Sequence, residues 1–173
     1  MVRENVTMTK GKKPLIVMKF GGTSVGSAER MRSVAEIIMD HARRAEVVVV
    51  VSAMGGVTDM LIRAATEASK GDREHWKGVR QELARRHREV IDQLLSPAEQ
   101  AIVLPRLAEQ VGDFENLCSG FSLVREVTPR AMDTLSSLGE VMSVTLMAAI
   151  LRSCGVPAPV SYTHLRAHET VLD

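Results

Sequence analysis

Two short apolar runs, each leading into a pair of glycines, constrain this chain more than any other feature. Leu15 to Phe20 ends at Gly21-Gly22, and Glu46 to Val51 is followed by Gly55-Gly56. Both runs are short enough for strands, and the second carries five consecutive valines, which suits a parallel strand buried on both faces. Between them Met31, Val34, Ala35, Ile38 and Ala42 recur at the spacing of one helical face. Ser27 stands where an N-cap belongs, with Glu29 in the first turn. Strand, helix, strand in this space is a βαβ unit, so the fold class is α/β, with a mostly parallel sheet, flanking helices and loops gathered at the carboxyl edge.

The first turn reads Lys19-Phe20-Gly21-Gly22-Thr23-Ser24-Val25-Gly26. Glycines let the backbone approach a ligand closely. The helix that follows offers unpaired N–H groups and a partial positive charge. Lys19 adds a full charge at the strand end. These parts together suit a phosphate. The order differs from a P-loop, whose lysine follows its glycines, and from the Gly-x-Gly-x-x-Gly dinucleotide fingerprint. The plainer alternative is an ordinary βα turn with a surface lysine.

Further on, the pattern predicts a helix from about Thr58 to Ser69, with Leu61, Ala64, Ala65 and Ala68 on one side. Residues 71–127 read as almost wholly helical, with a broken apolar stripe of Val79, Leu83, Val90 and Leu94. Ser96-Pro97-Ala98-Glu99 has the form of a capping box, and Pro105 is expected to kink or interrupt the helix it opens. Thr128-Pro129 starts another helix, which Gly139-Glu140 is expected to break before a last one, Val141 to Ser153. There Met142, Leu146, Ala149 and Ile150 form the buried face, and Gly155 and Pro157 end the helix. A third strand is expected over Val156 to Val160. The basic run Arg85-Arg86-His87-Arg88 reads as a solvated helix face, and His75 and Trp76 as local packing. The polar lead, residues 1–13, reads as disordered.

Composition narrows the possible functions. With 45% hydrophobic and 25% charged residues, the 173-residue chain resembles a soluble domain with a proper core. A net charge of +1 gives no electrostatic reason to expect nucleic acid or an anionic membrane as partner. Aromatics are too few for a base-stacking surface. No apolar run approaches the ~20 residues of a membrane span, and the N-terminus lacks a secretory h-region. Cys118 and Cys154 have no metal spacing and read as buried free thiols, consistent with the cytosol. No metal site is expected.

Three stretches carry a family resemblance. Lys19-Phe20-Gly21-Gly22-Thr23-Ser24-Val25 resembles the N-terminal signature of the aspartate kinases, within the amino-acid kinase family. Val51-Ser52-Ala53-Met54-Gly55-Gly56-Val57-Thr58-Asp59 resembles the family's second strand and glycine turn, and Leu138-Gly139-Glu140-Val141-Met142-Ser143 its Gly-Glu helix start. The Thr23-Ser24 pair favours aspartate over glutamate, acetylglutamate or UMP as substrate. The resemblance implies the N-terminal part of an amino-acid kinase domain over residues 14–159, with 71–127 as its helical segment. It implies ATP, with Mg²⁺ carried by the nucleotide, and L-aspartate as partners, and a homo-oligomeric parent.

It also implies roles. Lys19 contacts the transferring phosphate, and Gly21 and Gly22 bring backbone N–H groups against phosphate. Thr23, Ser24, Ser52, Thr58 and Glu140 meet the substrate, Glu140 holding its ammonium. Alternatives stay open at three positions: Thr58 as an N-cap, Glu140 as a first-turn carboxylate, and Ser52 as a loop residue bonded locally. Asp59 reads as dipole-favoured. The rival functions are another acyl-phosphate kinase, such as one for glutamate, and a non-catalytic regulatory or assembly module.

Residues 160–173 break the family pattern. Val160 to Thr170 resembles translated read-through of a sequencing-library adapter and is set aside as a non-native tail. His164 and His168 fall in it and, with no third ligand nearby, are not read as a metal pair. The chain is then expected to be a truncated product, inactive or barely active alone.

Overall fold

The structure, a computed structural model, describes Val6–Thr7 and residues 13–161. In chain order these are strands β1 (Val6–Thr7) and β2 (Leu15–Phe20), helix α1 (Ala28–Ala42), strand β3 (Glu46–Val51), and helices α2 (Val57–Lys70), α3 (Arg73–Leu94), α4 (Pro97–Val124) and α5 (Pro129–Ser153). β2 and β3 run parallel, from Leu15 opposite Glu46 to Phe20 opposite Val51. The main-chain N–H of Ser52 extends this pairing by donating to the Phe20 carbonyl at 3.0 Å. The lead is not wholly without structure: β1 pairs antiparallel with the outer edge of β2. The other lead residues up to 12 lie outside the described residues, as does the set-aside tail from 162 onward.

The valine run differs from expectation. Val51 is buried and Val47 and Val49 pack on the core, but Val48 is 48% and Val50 44% exposed. Leu15 and Val17 are open on the same face of β2, while Ile16, Met18 and Phe20 are buried on the other. Among the described residues, α1 and α5 cover one face of the sheet and nothing covers the second. The expected third strand is also not formed: after α5 the chain over 156–161 takes no ladder partner.

α1 begins where the sequence placed it, with Ser27 as N-cap accepting from the Arg30 N–H. α2 buries Leu61, Ala64, Ala65 and Ala68 completely, small side chains that let α3, α4 and α5 pack closely around it. At its far end the Arg125 guanidinium donates to the Lys70 carbonyl at 2.6 Å, while Arg125 itself caps α4 in the left-handed conformation, φ 59°. Ser96 caps α4, but only half of the capping box forms. Glu99 turns away to a two-pronged ion pair with Arg152 of α5, at 3.0 and 2.8 Å. That pairing holds the Glu99 carboxyl below its ordinary range. The Ser96 N–H instead donates to Ser153 Oγ, so the start of α4 is tied to the end of α5. α4 runs unbroken through Pro105; proline removes one N–H donor but does not end the helix.

α5 is also continuous, so Gly139-Glu140 is not a break. Gly139 serves packing instead. A Cβ there would stand 2.9 Å from Ala53 Cβ and 2.9 Å from Val57 Cγ1. Glycine lets α5 press against the loop before α2. By length and composition α5 could cross a membrane, contrary to the sequence expectation, but 61% of its apolar window is buried inside the protein. Its hydrophobicity is that of a core helix packed by α1, α2, α3, α4 and β3.

Two further readings change. Cys118 is buried and its thiol is pushed up to about 12 by desolvation, but Cys154, the C-cap of α5, is exposed. His87 is fully buried, not solvated. Its Nδ1 lies 2.7 Å from the Leu83 carbonyl, which requires an N–H at that position, and Nε2 has no partner. Desolvation depresses its pKa, the hydrogen bond to Leu83 opposes this, and Arg86 adds to the depression.

Two predictions follow from this packing. Gly139→Ala gains about 1 kcal/mol of helix propensity but overpacks the α5–α2 contact by roughly 1–3 kcal/mol. Urea unfolding should show net destabilisation; a more stable variant would remove the packing account. His87 is neutral in the fold and charges in the unfolded chain near its ordinary pKa of ~6.5. Its contribution is present above that pH and is lost as pH falls toward the depressed folded value. The urea midpoint should therefore fall between about pH 7.5 and 5.5, and fall less steeply in His87→Gln. Equal slopes for the two proteins would contradict the assignment.

Candidate functional site

At the carboxyl edge of the parallel pair, the chain leaves β2 and β3 through two loops that touch backbone to backbone. A Cβ on Gly22 would lie 2.6 Å from the Ala53 carbonyl and 3.5 Å from the Gly55 Cα. A Cβ on Gly55 would lie 3.4 Å from the Gly22 carbonyl. No other residue type allows this approach without displacing main chain. The first loop closes on itself through Ser24 N–H to the Gly21 carbonyl (2.9 Å) and Val25 N–H to the Gly22 carbonyl (3.3 Å). Val25 is fully buried beneath it. Arg30, in the first turn of α1, reaches back to donate to the Thr23 carbonyl at 2.7 Å.

The second loop enters α2 through Gly56, at φ 79°. Gly56 is the N-cap and has no side chain to cap with, so the first turn of α2 keeps free donors. Thr58 is therefore not the N-cap; it lies at the second helical position, exposed. Glu140 is not a first-turn carboxylate either: it is exposed in the middle of α5, directly after the glycine that rests on Ala53 and Val57. Ser52 sits beside the end of β2 through its main-chain bond to Phe20. Lys19 is opposite Val50 in the ladder and exposed on the open face of the sheet.

The structure thus draws Lys19, Gly21, Gly22, Thr23, Ser24, Ser52 and Thr58 to one sheet edge and passes α5 beneath it one residue before Glu140. Their polar groups are unspent. The Lys19 ammonium, the hydroxyls of Thr23, Ser24, Ser52 and Thr58, and the Glu140 carboxylate make no hydrogen bond or ion pair among the described residues. Hydroxyls away from the edge behave differently: Ser33, Thr66, Ser122 and Thr134 each donate to a carbonyl one turn back. A cation, free helix-start N–H groups and several uncommitted hydroxyls around two glycine loops can grip a polyanion and a small polar acid side by side.

Two arginines escaped the sequence reading. Arg30 and Arg86 each hold a carbonyl of one loop, Arg86 donating from α3 to Gly55 at 2.9 Å. The second contact spans 31 residues, and nothing in the local pattern of the basic run announces it. The other two arginines do face solvent, Arg85 paired with Glu82 and Glu89, and Arg88 with Asp92. A cavity of about 310 Å³ lies behind the loops, between Gly26 to Glu29 and the α3 residues Arg85, Arg86 and Glu89. Its lining includes neither Gly21-Gly22 nor Gly55-Gly56, and the edge, with its free donors, is taken as the site. Among the described residues no cluster of three or more His, Cys, Asp or Glu could hold a metal ion.

Residues 14–169 match the model of the amino acid kinase family. The chain is 34% identical over 160 residues to aspartokinase 1, chloroplastic, of Arabidopsis thaliana, covering 90% of this chain and 26% of that protein. It is 31% identical over 154 residues to the bifunctional aspartokinase/homoserine dehydrogenase 1, chloroplastic, of the same plant, covering 88% of this chain and 16% of that protein. The crystal structure of E. coli aspartokinase III in complex with aspartate and ADP superposes with a TM-score of 0.70 at 25% identity, over 82% of this chain and 29% of that one. The chain thus spans about a quarter or less of the length of these curated relatives.

The two loop glycines should respond oppositely to a methyl group. Gly21 has nothing within 4 Å of an added Cβ, so Gly21→Ala should leave the unfolding midpoint nearly unchanged. Gly22→Ala must part the loops and should cost roughly 1–3 kcal/mol. Similar stabilities for the two variants, measured by urea unfolding, would mean that the loops do not meet as described.

Proposed function

From residue 14 to residue 169 this chain belongs to the amino acid kinase family, and on that premise we propose that it is part of an aspartate kinase, transferring the γ-phosphoryl group of ATP to the β-carboxylate of L-aspartate. The product is 4-phospho-L-aspartate, which feeds lysine, threonine and methionine synthesis. The observation that carries this reading is the set of uncommitted donors around two mutually packed glycine loops. The aspartokinase relatives, and a structural neighbour that holds aspartate and ADP, support the choice of both substrates.

The chemistry needs little more than placement. A carboxylate with an ordinary pKa near ~3.9 is already ionised at neutral pH, so no general base is required. One of its oxygens attacks the γ-phosphorus, the bond to the bridging oxygen breaks, and ADP leaves with that electron pair. Lys19 neutralises charge on the transferring oxygens. The N–H groups at Gly21 and Gly22 lie against the phosphates. Thr23, Ser24, Ser52 and Thr58 orient the substrate, and Glu140 accepts from its ammonium. Mg²⁺ arrives with the nucleotide; the chain's described residues offer it no ligand cluster of their own, and no step here is routed through it.

We place the reaction in the cytoplasm, with free thiols at Cys118 and Cys154 in keeping with a reducing compartment, and propose a homo-oligomeric parent enzyme. A non-catalytic module is the rival outside catalysis, and a glutamate-specific kinase the rival within it.

The test is coupled ADP release by the full-length enzyme. Aspartate should accelerate ATP use more than glutamate does, and this chain alone should give at most trace turnover. Lys19→Ala should lower kcat by about 10²–10³-fold, the scale of losing one preorganised donor. Because Lys19 is exposed and has no partner among the described residues, unfolding should barely change. Retained activity in that variant would favour the non-catalytic module.

A further inference from the structure

α3 lies outside the two loops, yet one of its side chains reaches into them. In the run Arg85-Arg86-His87-Arg88, the first and last arginines are saturated by acidic neighbours on their own helix. Arg86 makes no ion pair among the described residues; instead its Nη2 donates to the carbonyl of Gly55, 31 residues away, at 2.9 Å. His87, the next residue, is fully buried, as are Leu83, Val90 and Ile91 on the packed side of α3.

The consequence is directional. The Gly55 carbonyl and the Gly56 N–H belong to one peptide plane, which is trans. In a trans peptide the two bonds point in opposite directions. Holding the carbonyl toward α3 therefore aims the Gly56 N–H away from α3. That N–H has no partner among the described residues, and Gly56 caps α2 without a side chain. Glycine at both positions leaves the plane free to rotate, with no Cβ to restrain it. A fixed cation on one side of the plane is what prevents that rotation. The same loop runs from Ser52, tied to Phe20, to Thr58 in the first turn of α2, so the Gly56 N–H lies between two segments already fixed.

We propose that Arg86 is a positioning residue, which locks the Gly55–Gly56 peptide plane so that the second loop presents its donors to the amino-acid substrate rather than to the nucleotide. This rests on the aspartate kinase reading above. It assigns work to one residue of a basic run whose local pattern points only to solvent.

The experiment has two arms. In the full-length enzyme, Arg86→Ala, Arg86→Lys and the control Arg88→Ala are compared by steady-state kinetics. In this chain, hydrogen exchange of the amides over 54–57 is followed in the same variants. Arg86→Ala should raise KM for aspartate about tenfold, the scale of one charge-assisted hydrogen bond, with KM for ATP changing less than about threefold. Arg86→Lys should recover at least half of that loss on a logarithmic scale, because it keeps one donor. The loop amides should exchange roughly tenfold faster in Arg86→Ala and unchanged in Arg88→Ala. The proposal is overturned if exchange in Arg86→Ala matches Arg88→Ala, if both KM values move together, or if lysine recovers nothing. Absence of aspartate-dependent turnover in the unaltered enzyme would instead sink the functional reading, and exchange would still decide whether Arg86 holds the loop.

Discussion

The arrangement depends on one contact between main chains: Gly22 against the Ala53 carbonyl and Gly55. Parallel pairing of β2 and β3 brings both strand ends to the same edge, but pairing alone leaves side chains between the loops that follow. Removing those side chains lets two turns meet directly. Each turn can then direct its N–H groups and hydroxyls outward, because its own polar needs are met locally and by Arg30 and Arg86. Donors arranged in this way are oriented without a ligand being present, the kind of preorganisation that stabilises developing charge.

The same economy recurs below the edge. Gly139 brings α5 against Ala53 and Val57, and the fully buried alanines of α2 let its neighbours close around it. Small residues set the distances, while the larger side chains Met31, Leu83, Phe114 and Met142 fill what remains. The ends of the helices are joined by charge: Glu99 with Arg152, and Arg125 with the Lys70 carbonyl. Both ties link residues more than fifty positions apart in the chain.

Much of this was legible from local pattern. The two strands, the cap at Ser27, the proline-led starts of α4 and α5 and the apolar stripes are all signalled by residues within a turn of one another, where spacing and capping chemistry act. Several of the differences share a cause: they turn on what lies near the residue in space but far from it in sequence. Gly139 looked like a helix breaker because its neighbours Ala53 and Val57 are invisible locally. His87 and Arg86 looked solvated because the packing of α3 is decided by other helices. Val48 and Val50 looked buried because a valine run does not reveal whether both faces of its sheet are covered. Within the site, the glycines and Lys19 stand out by order alone, whereas local pattern also allows Thr58 and Glu140 helix-start roles, which Gly56 as the cap and the unbroken α5 remove.

The open sheet face carries a final implication. Lys19 stands opposite Val50 and shares its side of the sheet with Leu15, Val17 and Val48. Whatever packs on those apolar side chains also displaces water from around the lysine. Charge interactions strengthen as the surrounding dielectric falls. Drying of the valines and strengthening of the lysine's pull on any nearby anion are therefore one event, so the hydrophobic effect that covers this face also tunes its electrostatics.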